Sequence, residues 1–310
     1  MGKSGLKVFA PASVANIAVG YDILGFAVND IGDEVIVREG QQEGLIISSI
    51  HNYPNLTKDI NKNTAGFAAL KLLESLGLEK EPIEIELIKN MGIGTGLGSS
   101  AASAVAGVFG VNEYLGRPYD KIDLLRFATL GEQIADGSFH ADNVAPSLLG
   151  GIVLVRDNES LDVVKLPAPL GLKCVLIYPL VKILTEEARA ILSESISLKQ
   201  HIQQSGNLAA FIASLYKSDF DLLSRSLSDC IIEPQRSQLI PHFNEVKSIA
   251  LENDALGYSI SGAGPSMFAL CSNSLIAENV AEAIRSFYHE KKIDCNYYIS
   301  DINLKGAVKY

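Results

Sequence analysis

Glycine stands at every second position from Gly92 to Gly98 in "NMGIGTGLGSSAASAVAGVFG", residues 90–110. No other stretch restricts the fold as tightly. Glycine permits positive φ and lets a neighbouring group come against the main chain. Successive N–H groups in such a turn form a concavity that suits an anion. Small residues from Ala101 to Ala106 follow, and the spacing predicts a helix from about Ser99 to Leu115, packed tightly beneath the loop. That helix adds unpaired N–H groups and the positive end of its dipole. Ser99 or Ser100 is expected to cap it, leaving the other hydroxyl for a phosphate or a metal. On these residues alone, a phosphate cradle and a flexible glycine loop ahead of a packing helix stand level.

Two familiar phosphate loops are excluded. The Walker pattern needs Lys before Ser/Thr, and here Leu97-Gly98 precedes Ser99. The dinucleotide fingerprint GxGxxG fails because Gly94 and Gly96 are followed by Ser99 at the third position. A Rossmann dehydrogenase is excluded on the same ground.

The surrounding pattern is mixed α+β. "PIEIELIKN" alternates Ile83, Ile85 and Leu87 with charged residues, as a half-buried strand does. "LKVFA", "DEVIVRE", "GLIISSI" and "GIVLVRD" read as further strands, and "NTAGFAALKLLESLGL" and "DKIDLLRFATLGEQIAD" as helices. In the second half "LKCVLIYPL" is a strand, followed by helical stretches starting near Thr185, Leu198 and Phe243. "LGYSI" and "SMFAL" are strands joined by "SGAGP"; a helix from about Ile276 to His289 and a final strand "NYYISDI" complete a β-α-β-β-α-β order, that of a ferredoxin-like sandwich. Prolines and glycine cluster in "LPAPLG", residues 166–171. Two α+β domains are therefore expected, residues 1–166 and 167–310, with a cleft between them.

Apolar residues make up 47% of the 310, enough for a real core, and the formal net charge is −10. That charge argues against a nucleic-acid partner and against anionic membranes, while a local nucleotide site remains open. The four cysteines, Cys174, Cys230, Cys271 and Cys295, lie far apart without metal-site spacing and read as reduced thiols. "MGKSGLKVFAPAS" has no apolar h-region, so no secretory signal is expected, and no stretch qualifies as a membrane span.

Two further segments join the glycine loop: "PASVANIAVGYDILGFAV", residues 11–28, and "GYSISGAGPSMFAL", residues 257–270. Together with "GTGLGSSAAS" they resemble, in order and spacing, the three motifs of the GHMP kinases. The resemblance runs over essentially the whole chain; "GLGSSAA" is specific for the superfamily, not for substrate. "HADNVAPSLLGG", "TEEARAIL" and "EPQRSQLIPHF" resemble the homoserine kinase branch. The resemblance implies a two-domain GHMP kinase fold, with an N-terminal part like ribosomal protein S5 domain 2 and a C-terminal ferredoxin-like part. It implies ATP-dependent phosphorylation of the L-homoserine hydroxyl, giving O-phospho-L-homoserine and ADP on the route to threonine. It also implies Mg²⁺, a cytoplasmic location and a homodimer. The alternative within the superfamily is a kinase of a sugar or an isoprenoid alcohol. A ligand sensor on the same fold would show a damaged phosphate loop, and none is seen.

The sequence departs from the family in places. Gly92 stands where Pro is usual, and "SVANIAVGYD" replaces "SSANLGPGFD", with Val14, Ala18 and Val19 changed and Asn16, Gly20 and Asp22 retained.

Roles follow from the resemblance residue by residue. The triphosphate would be wrapped by Gly92, Gly94, Thr95, Gly96, Leu97, Gly98, Ser99, Ser100, Ala101 and Ala102. Ser100 and Glu132 are the candidate Mg²⁺ contacts, although a helix glutamate is more often simply solvated. His140, Asp142 and Asn143 form the candidate site around the acceptor hydroxyl, although such a mix is more often turn chemistry. Mevalonate and galactose branches carry Asp where Asn143 stands. An amide cannot accept a proton at neutral pH, so no dedicated base is expected: the proton would pass to a γ-phosphate oxygen while Asn143 orients the hydroxyl. Asp22, helped by Asn16, would take the substrate ammonium. Arg189 and Arg236 would take the carboxylate, whose shape guanidinium matches, against the commoner fate of a surface ion pair. Gly262, Ala263 and Gly264 are expected to turn toward the substrate or phosphates, and by composition could equally be a plain hairpin turn.

Overall fold

The computed structural model describes residues 5–137, 139–181 and 185–310. The first four residues of the N-terminal stretch searched for a secretory signal lie outside them.

The first half supplies β1 (Leu6–Ala15), β2 (Leu24–Glu39), β3 (Leu45–His51), α1 (Thr64–Leu76), β4 (Ile83–Ile88), α2 (Ser99–Tyr114), α3 (Leu125–Asp136), α4 (Val144–Leu149), β5 (Ile152–Asp157) and β6 (Asp162–Leu166). β3 and β4 are parallel, as a crossover through α1 requires. The other pairings of β1, β2, β4, β5 and β6 are antiparallel. Asn63 starts α1 by accepting from the N–H groups of Ala65 and Gly66, and Gly77 ends it in the left-handed region. α2 is buried along nearly its whole length. Only residues as small as its Ala, Ser and Gly let its backbone come that close to α1 and the sheet.

The second half supplies β7 (Lys173–Pro179), α5 (Thr185–Ala190), α6 (Leu198–Lys217), α7 (Phe220–Ser226), α8 (Glu233–Arg236), α9 (Phe243–Glu252), β8 (Gly257–Ile260), β9 (Met267–Cys271), α10 (Ser274–Glu290), β10 (Cys295–Asp301) and β11 (Val308–Lys309). The sheet order β10-β7-β9-β8, antiparallel throughout, is ferredoxin-like. Its two faces have different partners, as strand alternation dictates. Val175, Ile177, Met267, Ala269 and Cys271 lie in a core shared with α9 and α10. Cys174, Leu176, Phe268 and Leu270 join the core of the first sheet, where Phe26 meets Phe268 edge-on with ring centres 6.0 Å apart. All four cysteines are free thiols.

Five short elements, α4, β6, α7, α8 and β11, were not expected from the sequence; none is long enough to show a period. The strand at 295–301 is not the last. β11 leaves the second sheet and pairs with β1, matching Val8 to Lys309 and Phe9 to Val308. No helix among the described residues is long and apolar enough to cross a membrane.

Candidate active site

The glycine loop, strand β1 and the turn at residues 261–266 meet at the N-terminus of α2. The glycine loop takes positive φ at Gly94, Gly96 and Gly98 (70°, 79° and 64°). Its Leu97 carbonyl accepts from the Ser13 N–H of β1 at 3.1 Å. From the second half, Ser261 Oγ donates to the Gly96 carbonyl at 2.6 Å and the Ser266 N–H to the Thr95 carbonyl at 3.1 Å. A Cβ on Gly96 would lie 2.6 Å from the Ser261 carbonyl oxygen and 2.8 Å from that of Gly264. A Cβ on Gly98 would lie 2.2 Å from Ser13 Oγ and 2.7 Å from Asn143 Oδ1. These glycines are needed because protein packs against them, as well as for their φ.

Gly98 is the residue that caps α2, and it offers no side-chain bond to the first turn. The expectation that Ser99 or Ser100 caps the helix is corrected, because both hydroxyls are drawn elsewhere. Ser99 Oγ accepts from Lys89 Nζ at 2.5 Å, and Ser100 Oγ donates to Glu132 Oε1 at 2.7 Å. The uncapped first turn of a sixteen-residue helix keeps its N–H groups for an anion, which fits a phosphate. Ala101 and Ala102 face the core with no exposed surface, so they offer only main chain.

Beneath the loop lies an ion pair that sequence reasoning missed. Lys89, buried at the end of the β4 segment, bonds Asp33 of β2 and donates to the Ser99 carbonyl at 2.7 Å. Asp33 also accepts from Ser103 Oγ at 2.6 Å and from the Asn90 and Met91 N–H groups at 3.0 and 3.2 Å. Burial lowers the Lys89 pKa, opposed by the Asp33 charge. A buried charge pair is tolerable only when its remaining valences are filled in this way. Nothing in the local sequence marks this pair, whose members lie 56 residues apart.

Beside α2 opens a pocket lined by Asn16, Asp22, Glu132, His140, Asp142, Asn143, Arg189, Arg236, Gly262 and Ala263. The structure thus brings most of the sequence-nominated substrate residues to one place. Gly264 is absent from the lining and sits behind Gly96 instead. Gly92 lies farther along the loop, where a Cβ would approach the Tyr53 and Tyr178 hydroxyls at 3.5 and 3.9 Å. Asp22 is the centre of charge: Arg189 Nη1 donates to its Oδ2 at 3.2 Å and His140 Nε2 lies 3.6 Å from the same oxygen. Asn16 Oδ1 accepts the Asp22 N–H at 3.0 Å, and Asn16 Nδ2 donates to the Gly262 carbonyl at 3.0 Å. Residues 16–18 and 22 all carry positive φ without being glycine, strain of a kind found at functional sites.

Arg236 is 3% exposed. Its Nε donates to the Ala188 carbonyl at 2.8 Å, Nη1 to the Gly262 carbonyl at 3.0 Å, and Nη2 to the Tyr21 hydroxyl at 3.3 Å. It therefore holds the Gly262 turn as well as facing the pocket. Tyr21, also missed, lies under both guanidinium groups, its ring centre 5.0 Å from that of Arg236 and 5.9 Å from that of Arg189. The signal was present: "VGYD" carries Tyr where the resembling motif carries Phe. Asp142 is 4% exposed, and burial, reinforced by the charge on Asp22, pushes its carboxyl up to about 8. At neutral pH it is mostly protonated.

Two family models match, GHMP kinases N terminal domain over residues 63–151 and GHMP kinases C terminal over residues 211–290. Homoserine kinases of Chlorobium phaeobacteroides strains BS1 and DSM 266 are 42% and 43% identical, covering 96% and 97% of this chain and 97% and 98% of theirs. The crystal structure of homoserine kinase from Cytophaga hutchinsonii superposes with a TM-score of 0.96 at 48% identity, covering 99% of this chain and 98% of that one.

Proposed function

The chain belongs to the GHMP kinase family, in its homoserine kinase branch, and from that premise we propose that it is an ATP-dependent kinase of the L-homoserine hydroxyl. The observation that carries the substrate is the Asp22–Arg189 pair at 3.2 Å within the pocket. An amino-acid zwitterion carries the complementary two charges and can replace each half of that pair with its own.

Asp22 receives the ammonium, with Asn16 holding its backbone. Arg189 receives the carboxylate, with the remaining N–H groups of Arg236 beside it. Asp142, kept mostly neutral by burial, gains an opposite charge nearby when the ammonium arrives. Asn143 touches the acceptor hydroxyl and cannot take its proton. The loop from Gly92 to Gly98 and the first turn of α2, through Ala102, hold the phosphates. Bound ATP supplies the γ-phosphoryl group, which bonds to the hydroxyl oxygen as its bond to the β–γ bridging oxygen breaks, ADP leaving and the hydroxyl proton passing to a phosphoryl oxygen.

Ser100 and Glu132, joined at 2.7 Å, are the oxygen donors that would hold Mg²⁺. Few protein oxygens suit that ion, which would neutralise phosphate charge. The two α+β units at 1–166 and 167–310, a homodimeric assembly and a cytoplasmic location belong to the same reading. Family likeness supports them, and the net charge of −10 supports the lack of a nucleic-acid partner.

The test is an ADP-release assay over homoserine, serine, threonine, mevalonate and galactose. Homoserine is expected to be strongly preferred. A preference for mevalonate or galactose would overturn the substrate and leave the kinase.

A further inference from the structure

Ser13 is fully buried in the second half of β1. Its main chain is tied to the phosphate loop through the Leu97 carbonyl, and its side chain reaches across to the acceptor site. Ser13 Oγ donates to Asn143 Oδ1 at 2.8 Å. Asn143 is half-buried and lines the pocket. Among the described residues its Nδ2 has no hydrogen-bond partner, and the Ser13 hydroxyl has no acceptor other than Oδ1. A primary amide has one accepting end and one donating end. Turning it over would leave the Ser13 proton buried and unpaired, which is unfavourable. Space is also closed on that side, since a Cβ on Gly98 would fall 2.7 Å from Oδ1.

We infer that Ser13 is a positioning residue for the transfer: its hydroxyl fixes the Asn143 amide with nitrogen toward the pocket, so that Asn143 meets the acceptor alcohol only as a hydrogen-bond donor. This rests on the placement of the acceptor hydroxyl at Asn143 proposed above. The alcohol oxygen then receives a hydrogen bond from Nδ2, and its own proton is turned away from Asn143, toward the phosphoryl oxygen that takes it. A donor at this position also opposes negative charge gathering on the oxygens in transfer. The Ser13 main chain couples this orientation to the loop that holds the phosphates.

A double-mutant cycle tests the inference. Ser13→Ala should lower kcat about tenfold, the effect of losing one neutral hydrogen bond, with ATP affinity by calorimetry unchanged. In an Asn143→Ala background, Ser13→Ala should change kcat no further. Equal losses in both backgrounds would make Ser13 a packing residue and overturn the inference. A second measurement uses the unmutated protein. The Asn143 side-chain NH₂ resonances, assigned with ¹⁵N-asparagine, should move downfield when homoserine is added with a non-hydrolysable ATP analogue. No movement on saturation would also overturn it. Should another alcohol prove to be the substrate, the homoserine reading fails, and the cycle and titration run on that alcohol still decide the role of Ser13.

Discussion

The loop from Gly92 to Gly98 and the pocket around Asp22 lie side by side and are built by opposite means. The loop is main chain: three left-handed glycines, an uncapped helix end, and carbonyls bonded to strand β1 and to the turn at residues 261–266. Its side chains matter mostly by their absence. The pocket is side chains, held in register by charge and by shared hydrogen bonds on Tyr21, Arg236 and Asn16. Main chain offers one geometry and no titration. Side chains offer charge that can be matched to a particular substrate and that responds to pH. A family can therefore keep the first and vary the second.

The largest expected effect breaks the loop. Gly96→Val places a branched side chain against the Ser261 and Gly264 carbonyls at a φ of 79°. The φ alone costs roughly 1–3 kcal/mol, and the contact must open besides. ATP binding by calorimetry should vanish and the melting temperature should fall. Unchanged ATP affinity would show that the loop does not depend on bare backbone.

On the pocket side, Arg189→Leu should lower kcat/KM for homoserine by roughly 2–3 kcal/mol, the lower part of the range for truncating one member of a charge pair, because the Arg189 side chain is 38% exposed. ATP affinity should stay. 3-Aminopropan-1-ol, which lacks the carboxylate, should lose almost nothing further in the variant. Equal losses on both alcohols would make Arg189 a scaffold for Asp22 alone.

A smaller effect separates the regions by pH. Asp142 titrates near 8 in the folded chain because burial raises it, with Asp22, Arg189 and Glu132 as its charged neighbours. Between the ordinary aspartate value and about 8 the folded state binds more protons than the unfolded state. This group's contribution to stability therefore falls as pH rises through that window. Asp142→Asn removes the fall, so without substrate the variant should gain on the wild type by about 1–3 kcal/mol from pH 5 to pH 8. Denaturant melts at the two pH values measure it, and a constant difference would place Asp142 in a wetter setting than the structure gives.

Smallest is Tyr21→Phe. It deletes the hydroxyl that accepts from Arg236 and keeps the ring under both guanidinium groups. The homoserine KM should rise by about 0.5–1.5 kcal/mol in equivalent terms, with kcat unchanged. A loss confined to kcat would move Tyr21 from the carboxylate side to the reacting centre.

Legibility followed the same division. The glycine loop was readable because main-chain function leaves a local trace: alternating glycines, then small residues, then a helix that runs Ser99–Tyr114. Even so, the reason for Gly96 was only half visible, since the atoms that exclude a side chain come from residues 261–264. The ferredoxin-like order was legible from the alternation of strands and helices. Asp22, Asn143, Arg189 and Arg236 were nominated through resemblance, and the structure gathers them into one pocket. Ser13 with Asn143, and Lys89 with Asp33, were invisible. Each pair is a single contact across 130 or 56 positions and leaves neither period nor spacing. That Ser99 or Ser100 caps α2 is the expectation that fails, because their partners Lys89 and Glu132 could not be placed from sequence.

The return of β11 to β1 bears on how the molecule is born. A ribosome makes β1 long before it makes Val308–Lys309, the strand that pairs with the edge of β1 at Val8 and Phe9. Throughout that interval the backbone groups of β1 that face β11 around Val8 and Phe9 stay unpaired, a short edge of the kind that invites pairing with another chain. The first sheet is therefore begun first and finished last, after the whole ferredoxin-like sheet has been made. Chains truncated after Asn303 should show the part of β1 around Phe9 less protected from hydrogen exchange than chains that include Val308–Lys309, while β7 and β9 are protected equally in both. Equal protection of β1 in the two chains would mean that its edge is closed by some other route.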